Sequence, residues 1–205
     1  MPDKDDSAAA FKATISKEEV NILPLSRWGG SVHLINNQDD VPAAVEKLRK
    51  CGVLGFDTET RPTFRKGQNH PAALLQLATE DEVYLFQLLQ LKALEGGLVE
   101  LLADPSIVKA GVAVRDDIKK LQDIQPFEPG GFVELADITQ RAGIINTGLR
   151  SLAAILLGIR ISKSAQISNW AKPELSLAQI HYAATDAWVS RRLYAFLDGQ
   201  NLIEA

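Results

Sequence analysis

Apolar residues fall in short runs between turn residues over the first two-thirds of the chain, and at helical spacing over the last third. Val32–Ile35 predicts a strand at a sheet edge. Val41, Ala44, Val45 and Leu48 then form the inward stripe of a helix that Asp39 or Asp40 can cap. Val53–Phe56 is a buried central strand. Ala72–Ala78 and Glu82–Phe86 read as strands of a hairpin, joined by an acidic turn at Thr79–Asp81. A helix is expected from about Lys92 to Ala103, ending before Asp104-Pro105. Ile107–Val112 is a strand leading into a helix from about Val114 to Ile124, and Phe132–Leu135 is a further core strand. From Ala136 onward the spacing is helical: Leu149, Leu152, Ala153 and Leu156 make one stripe, ended by Gly158. The polar loop Ser162–Pro173 precedes a long helix from about Ser176 to Leu197. This order of elements predicts an α/β domain around a mixed sheet. Residues 1–30 are assigned to a mobile N-terminal extension and 31–205 to the domain, although Ser16-Lys17-Glu18-Glu19 resembles a capping box that starts a short helix.

Three segments place polar groups where this pattern expects apolar ones. The central strand runs into Asp57 and Glu59, which alternation along a strand puts on one face. Asp117 falls on the inward stripe of its helix with Val114 and Leu121, whereas Asp116 shares the solvated face with Lys119, Lys120 and Asp123. In the last helix Tyr182, Asp186, Val189, Leu193 and Phe196 follow one face, with Tyr182 and Asp186 one turn apart. Any one of these has an ordinary explanation: an acidic turn, an acid at a helix start, a buried Tyr–Asp hydrogen bond. Together they suggest carboxylates converging on a metal ion, because buried acids must be compensated.

Composition narrows the setting. The 205 residues, 46% hydrophobic and 23% charged, are ordinary for a globular domain with a sizeable core. No apolar run is long enough to span a bilayer, and the N-terminus lacks the apolar segment of a signal peptide, so a cytoplasmic location without membrane partners is expected. The single Cys51 cannot form an internal disulfide and suits a reducing compartment. A net charge of −4 argues against coating of duplex backbone, yet leaves room to grip a nucleic-acid end. His33, His70 and His181 are dispersed without ligand spacing, so any metal would be bound by oxygen, which favours Mg²⁺ or Mn²⁺.

The segments FDTET, GVAVRDDIKKL and HYAATDAW resemble the three exonuclease motifs of the DEDDy 3′–5′ exonucleases. The likeness runs from roughly Val32 to Leu197. KSAQISNW, the Ala72–Phe86 hairpin and YAATDA are most similar to the Werner-type exonuclease domain, with ribonuclease D next. The resemblance implies a ribonuclease H-like fold with a central five-stranded mixed sheet flanked by helices. It implies catalytic roles for Asp57, Glu59, Asp117, Tyr182 and Asp186, the four acids holding two divalent cations and Tyr182 orienting the attacking water. The expected reaction is release of nucleoside 5′-monophosphates from a single-stranded or recessed 3′ end. DNA is favoured, because neither the helical domain usual with ribonuclease D nor a helicase accompanies the chain. A ribonuclease D-like RNA-processing enzyme and a non-catalytic nucleic-acid-end binder are the alternatives. For gripping the strand, Arg61, Phe64, Arg65 and Lys66 follow the first motif, and Trp170, in the loop with Lys163, can either stack on a terminal base or pin its loop. Trp188 is expected to pack.

Overall fold

In the computed structural model, which describes residues 11–63 and 70–203, the elements follow one another as local chemistry dictates. The Ser16 hydroxyl and the Glu19 carboxylate cap one another's backbone and start α1, Lys17–Ile22. Next come β1, Ser31–Ile35, and α2, Val41–Leu48. The capping oxygen ahead of α2 comes from Asn37, which accepts from the Asp39 N–H at 3.2 Å, rather than from Asp39 or Asp40. The strands β2, Val53–Thr60, β3, Ala72–Ala78, and β4, Glu82–Gln87, complete the first half. Two short helices, α3, Leu88–Leu91, and α4, Leu98–Ala103, lead to β5, Val108–Gly111, and α5, Val114–Gln122. The chain ends with β6, Phe132–Glu134, then α6, Leu135–Arg141, α7, Leu149–Leu157, and α8, Leu177–Gly199.

All six strands join one mixed sheet in the order β1-β4-β3-β2-β5-β6. The resemblance implied five. Both edges find a partner: β1 pairs parallel with β4 over five residues, and β6 pairs parallel with β5 over three. Only the β2–β3 and β3–β4 pairs are antiparallel. The expected helix over Lys92–Ala103 is also corrected, because the backbone leaves the helical region at Lys92 (φ 64°) and again at Gly96 and Gly97 (φ 67° and 87°). This break lets Leu88, Leu91, Leu94, Leu98 and Leu101 all bury against the sheet, which one straight helix would not do.

One face of the sheet, through Leu54, Phe56, Leu75, Leu77 and Phe86, packs on α2 and α4. The other carries α8, which lies across β2, β3, β4 and β5. Alanines at 183, 184 and 187, all fully buried, keep the α8 surface low against Leu74, Ala78 and Leu85. Gly55 permits the closest approach: a Cβ there would sit 1.9 Å from the Ala187 carbonyl oxygen and 2.8 Å from the Arg191 nitrogen. Residues 11–30 lie along the far side of α7 and α8. Phe11 meets Phe196 edge-on at 6.1 Å, Ala13 accepts from the Ile145 N–H at 2.7 Å, and Trp28 is buried beside α8. No helix of the described residues is long and apolar enough to cross a membrane.

Candidate active site

Strand β2 runs on to Thr60, so Asp57 and Glu59 are inside a paired strand rather than in a turn after it. Pairing fixes both on the α8 face. Because Gly55 seats α8 directly on β2, Asp186 arrives beside them. Oxygens of Asp57, Glu59 and Asp186 all lie within 4.8 Å of one another, and among the described residues these three form the one such cluster of possible metal ligands. Tyr182, one turn before Asp186, donates its hydroxyl to the Asp186 carboxylate. Asp117 enters from the first turn of α5 and is buried, but it stands outside the 4.8 Å trio. Its Oδ1 accepts from Lys120 Nζ at 3.2 Å.

The electrostatics are those of too many acids in too little water. Burial first, and then Asp186, Glu59 and Asp117 in turn, push the Asp57 carboxyl far up, opposed by the Thr58 N–H that it accepts at 2.9 Å. Glu59 is pushed up to about 9 by burial, Asp186 and Asp117, against a smaller pull from Lys120. Burial raises Asp186 to about 7, while the Tyr182 hydroxyl and Arg150 oppose the rise. Burial also raises Asp117, with the Thr58 hydroxyl and Lys120 opposing. The Tyr182 phenol is driven well above its ordinary value by burial and by Asp186, so it remains protonated. Clustered oxygen donors whose charge Lys120 and Arg150 offset only in part fit a hard divalent cation.

The carboxylates open into a cleft of about 480 Å³, lined also by Arg150, Ser151, Lys163 and Gln166. Arg150 is the functional candidate that sequence reasoning missed. It follows the helix start at Gly148, where periodicity reads it as a solvated charge. In the fold it faces Tyr182 and Asp186, and its Nε and Nη1 are buried without a hydrogen-bond partner. Gln76 is a second omission. It pairs with Asp57 across β2 and β3, is fully buried, and has both amide atoms unpartnered.

The gripping residues fare differently. Arg61 is exposed immediately beyond β2. Phe64, Arg65 and Lys66 lie outside the described residues. Trp170 is 2% exposed, with its ring 5.9 Å from that of Tyr182, so it offers no free face to a base and instead pins its loop against the site. Trp188 packs on Trp28 at 5.8 Å, with the Arg192 guanidinium 4.9 Å from its ring. His33 pairs with Glu82 at 3.1 Å and stacks on Tyr84, far from the carboxylates in the sheet order.

Residues 32–200 match a family of 3′–5′ exonuclease domains. Mouse bifunctional 3′-5′ exonuclease/ATP-dependent helicase WRN is 32% identical over 197 residues, which is 91% of this chain and 14% of that protein. Ribonuclease D of Gluconacetobacter diazotrophicus is 32% identical over 166 residues, 80% of this chain and 42% of that one. The chain thus spans less than half the length of either relative. Among solved structures, the Nibbler EXO domain of Aedes aegypti aligns with a TM-score of 0.71 and 26% identity, covering 82% of this chain and 88% of that domain. The shared architecture is ribonuclease H-like, a mixed sheet flanked by helices.

Proposed function

The chain belongs to the 3′–5′ exonuclease domain family, and on that premise we propose that residues 31–205 remove nucleotides one at a time from the 3′ end of a nucleic-acid strand by metal-dependent hydrolysis. The observation that carries this reading is the convergence of Asp57, Glu59 and Asp186 in one cleft, with Tyr182 bonded to Asp186. Asp57, Glu59 and Asp186 would hold Mg²⁺ or Mn²⁺, and Asp117 would support a second ion. Two such ions, when bound, supply charge stabilisation at the phosphoryl oxygens and acidify the attacking water.

The chain's own groups do the rest. A raised pKa keeps the Tyr182 hydroxyl protonated, so it is not a base that takes the water's proton; with its own proton engaged in the hydrogen bond to Asp186, its oxygen orients the water by accepting from it. Asp186 holds that hydroxyl in place. Arg150 is positioned to face the negative charge of the phosphodiester. Water oxygen bonds to phosphorus and gives up a proton, the bond from phosphorus to the 3′ oxygen breaks, and that oxygen takes up a proton from solvent to become a 3′ hydroxyl, so the released nucleotide carries a 5′-phosphate.

We take DNA as the preferred strand. The test is a matched digestion of 5′-labelled single-stranded DNA, recessed duplex and RNA in Mg²⁺, Mn²⁺ or EDTA. Stepwise shortening from the 3′ end, lost in EDTA, is the expected result. Faster release from RNA would reverse the sugar preference, and no release from any strand would leave only an end-binding module.

The same acids predict a pH-dependent response to metal. Without metal, the folded state holds Glu59 protonated up to about pH 9 and Asp186 up to about pH 7, whereas unfolding returns them to ordinary values of 4.5 and 3.8. Above pH 4 the unfolded chain therefore binds fewer protons, so stability falls as pH rises through 7 and 9. A cation that binds only the folded state offsets this, by about 2.7 kcal/mol at a hundredfold excess over Kd. For a chain of this size that is about 5–10 °C in Tm. Thermal melts with Mg²⁺ or EDTA should show that gain at pH 8.5 and little of it at pH 5. An equal gain at both pH values would contradict the assignment.

A further inference from the structure

We propose that the segment 11–30, which lies outside the family match, builds the far wall of a cationic groove that carries the phosphate backbone of the substrate strand away from the carboxylate cleft. This inference rests on the exonuclease reading above and adds to it where the strand runs.

The segment is fixed on both sides of α1. Before the helix, Ile15 N–H donates to Asn146 Oδ1 at 2.9 Å, and Ile145 N–H donates to the Ala13 carbonyl at 2.7 Å. After it, Arg160 N–H donates to the Pro24 carbonyl at 3.0 Å, Ser26 N–H donates to the Arg160 carbonyl at 2.8 Å, and Trp28 N–H reaches Thr185 Oγ1 at 3.0 Å. These bonds hold α1 opposite the start of α7 and the loop at Lys163.

Between them runs a groove of about 360 Å³. Lys17 and Asn21 stand on the α1 wall, and Arg150, Ser151 and Lys163 on the other. The last three also line the carboxylate cleft, so the two cavities adjoin across these side chains. In a chain of net charge −4 the lining of this groove contains three cations and no acid. Among the described residues none of those cations is in a salt bridge, and Arg150 keeps two buried nitrogens unpartnered. The acids of α1 are elsewhere: Glu19 is engaged with Lys12 and the Ser16 N–H, and Glu18 is not on the lining.

A strand whose 3′ end sits among carboxylates carries a phosphate at every preceding nucleotide. Those phosphates are repelled by the acids and need donors along their path. Unpaired Lys and Arg with hydroxyl and amide neighbours supply them, and they position the backbone without reading bases. The occupant is thus the phosphodiester backbone of a single strand, gripped independently of its sequence.

Lys17 is the informative position, because it is exposed, lies on a short surface helix and does not line the carboxylate cleft. Fluorescence anisotropy would follow 5′-labelled single strands from a dinucleotide to ~8 nucleotides, within the size range of single-strand sites, in Ca²⁺, with KM measured in Mg²⁺. Lys17→Ala should weaken binding of the longer strands about fivefold, the effect of one exposed charge contact. It should flatten the log–log salt slope by about 0.7, the loss of one single-strand phosphate contact. Lys17→Glu should weaken them further, and both variants should bind the dinucleotide as wild type does, with kcat unchanged. Wild-type affinity and slope at every length, or an equal loss for the dinucleotide, would overturn the groove. If wild-type protein digests strands normally, that outcome leaves the exonuclease reading standing. Wild-type protein that degrades no strand would instead sink the exonuclease reading itself.

Discussion

Asp57→Asn protein should fold normally and lose nucleotide release by on the order of 10³-fold or more, the scale of removing a principal charge-stabilising group. Asp57 belongs to the cluster with Glu59 and Asp186, and burial together with those two neighbours pushes its carboxyl far up. Removing its charge takes one ligand from the set and leaves the others too few to hold a cation in place. The stability effect should have the opposite sign. In EDTA at pH 8 the wild-type folded state carries mutual repulsion among its acids, and the amide relieves it, so the variant should melt at or above the wild-type temperature. Mg²⁺ should then add little. Loss of activity with a gain in metal-free Tm is a signature that a merely structural aspartate would not give. Tyr182→Phe should behave differently, slowing release by about 10- to 100-fold, as supporting groups around a metal do, while keeping the Mg²⁺-dependent gain in Tm. Activity within tenfold of wild type for Asp57→Asn would remove the carboxylate cluster from the mechanism.

Gly55→Ala should cost both stability and activity, although Gly55 touches no substrate. Its added Cβ would meet backbone, the Ala187 carbonyl at 1.9 Å and the Arg191 nitrogen at 2.8 Å, with Arg191 Cβ at 2.9 Å. No side-chain rotation relieves contacts with backbone, so α8 must move off β2. Overpacking of this kind costs about 3 kcal/mol, or roughly 6–12 °C in Tm for a chain of this length. The same displacement takes Tyr182 and Asp186 away from Asp57 and Glu59, since all four are held by that one helix–strand contact. Calorimetry and release rates should therefore fall together, and excess Mg²⁺ should recover part of both by favouring the closed arrangement. A Gly55→Ala protein with wild-type Tm and rate would show that the close approach does not position the site.

The elements that carry the acids were readable because their signals are local. The Ser176–Gln179 capping box and the Tyr182–Asp186 spacing are both written within α8. Asp117 could be chosen over Asp116 because only one of them shares a helical face with Val114 and Leu121, and Asp117 is indeed the buried one. The errors arose where a neighbour decided the outcome. The stretch 92–103 has helical spacing, but burying Leu94 and Leu98 beside α2 required left-handed residues between two short helices. Trp170 had two readings in sequence, and only its packing on Tyr182 removes it from the surface.

The sequence by itself determined which side chains are inward-facing acids, because periodicity reports the side of an element on which a residue stands. It could not determine which elements face each other. That was decided by the strand order, by the seating of α8 on Gly55, and by the anchoring of α1 opposite Arg150 and Lys163. Each depends on burial and backbone contact between residues far apart in the chain. For that reason Arg150 and Lys17 look like ordinary solvated charges in the sequence and become neighbours of one groove only in the fold.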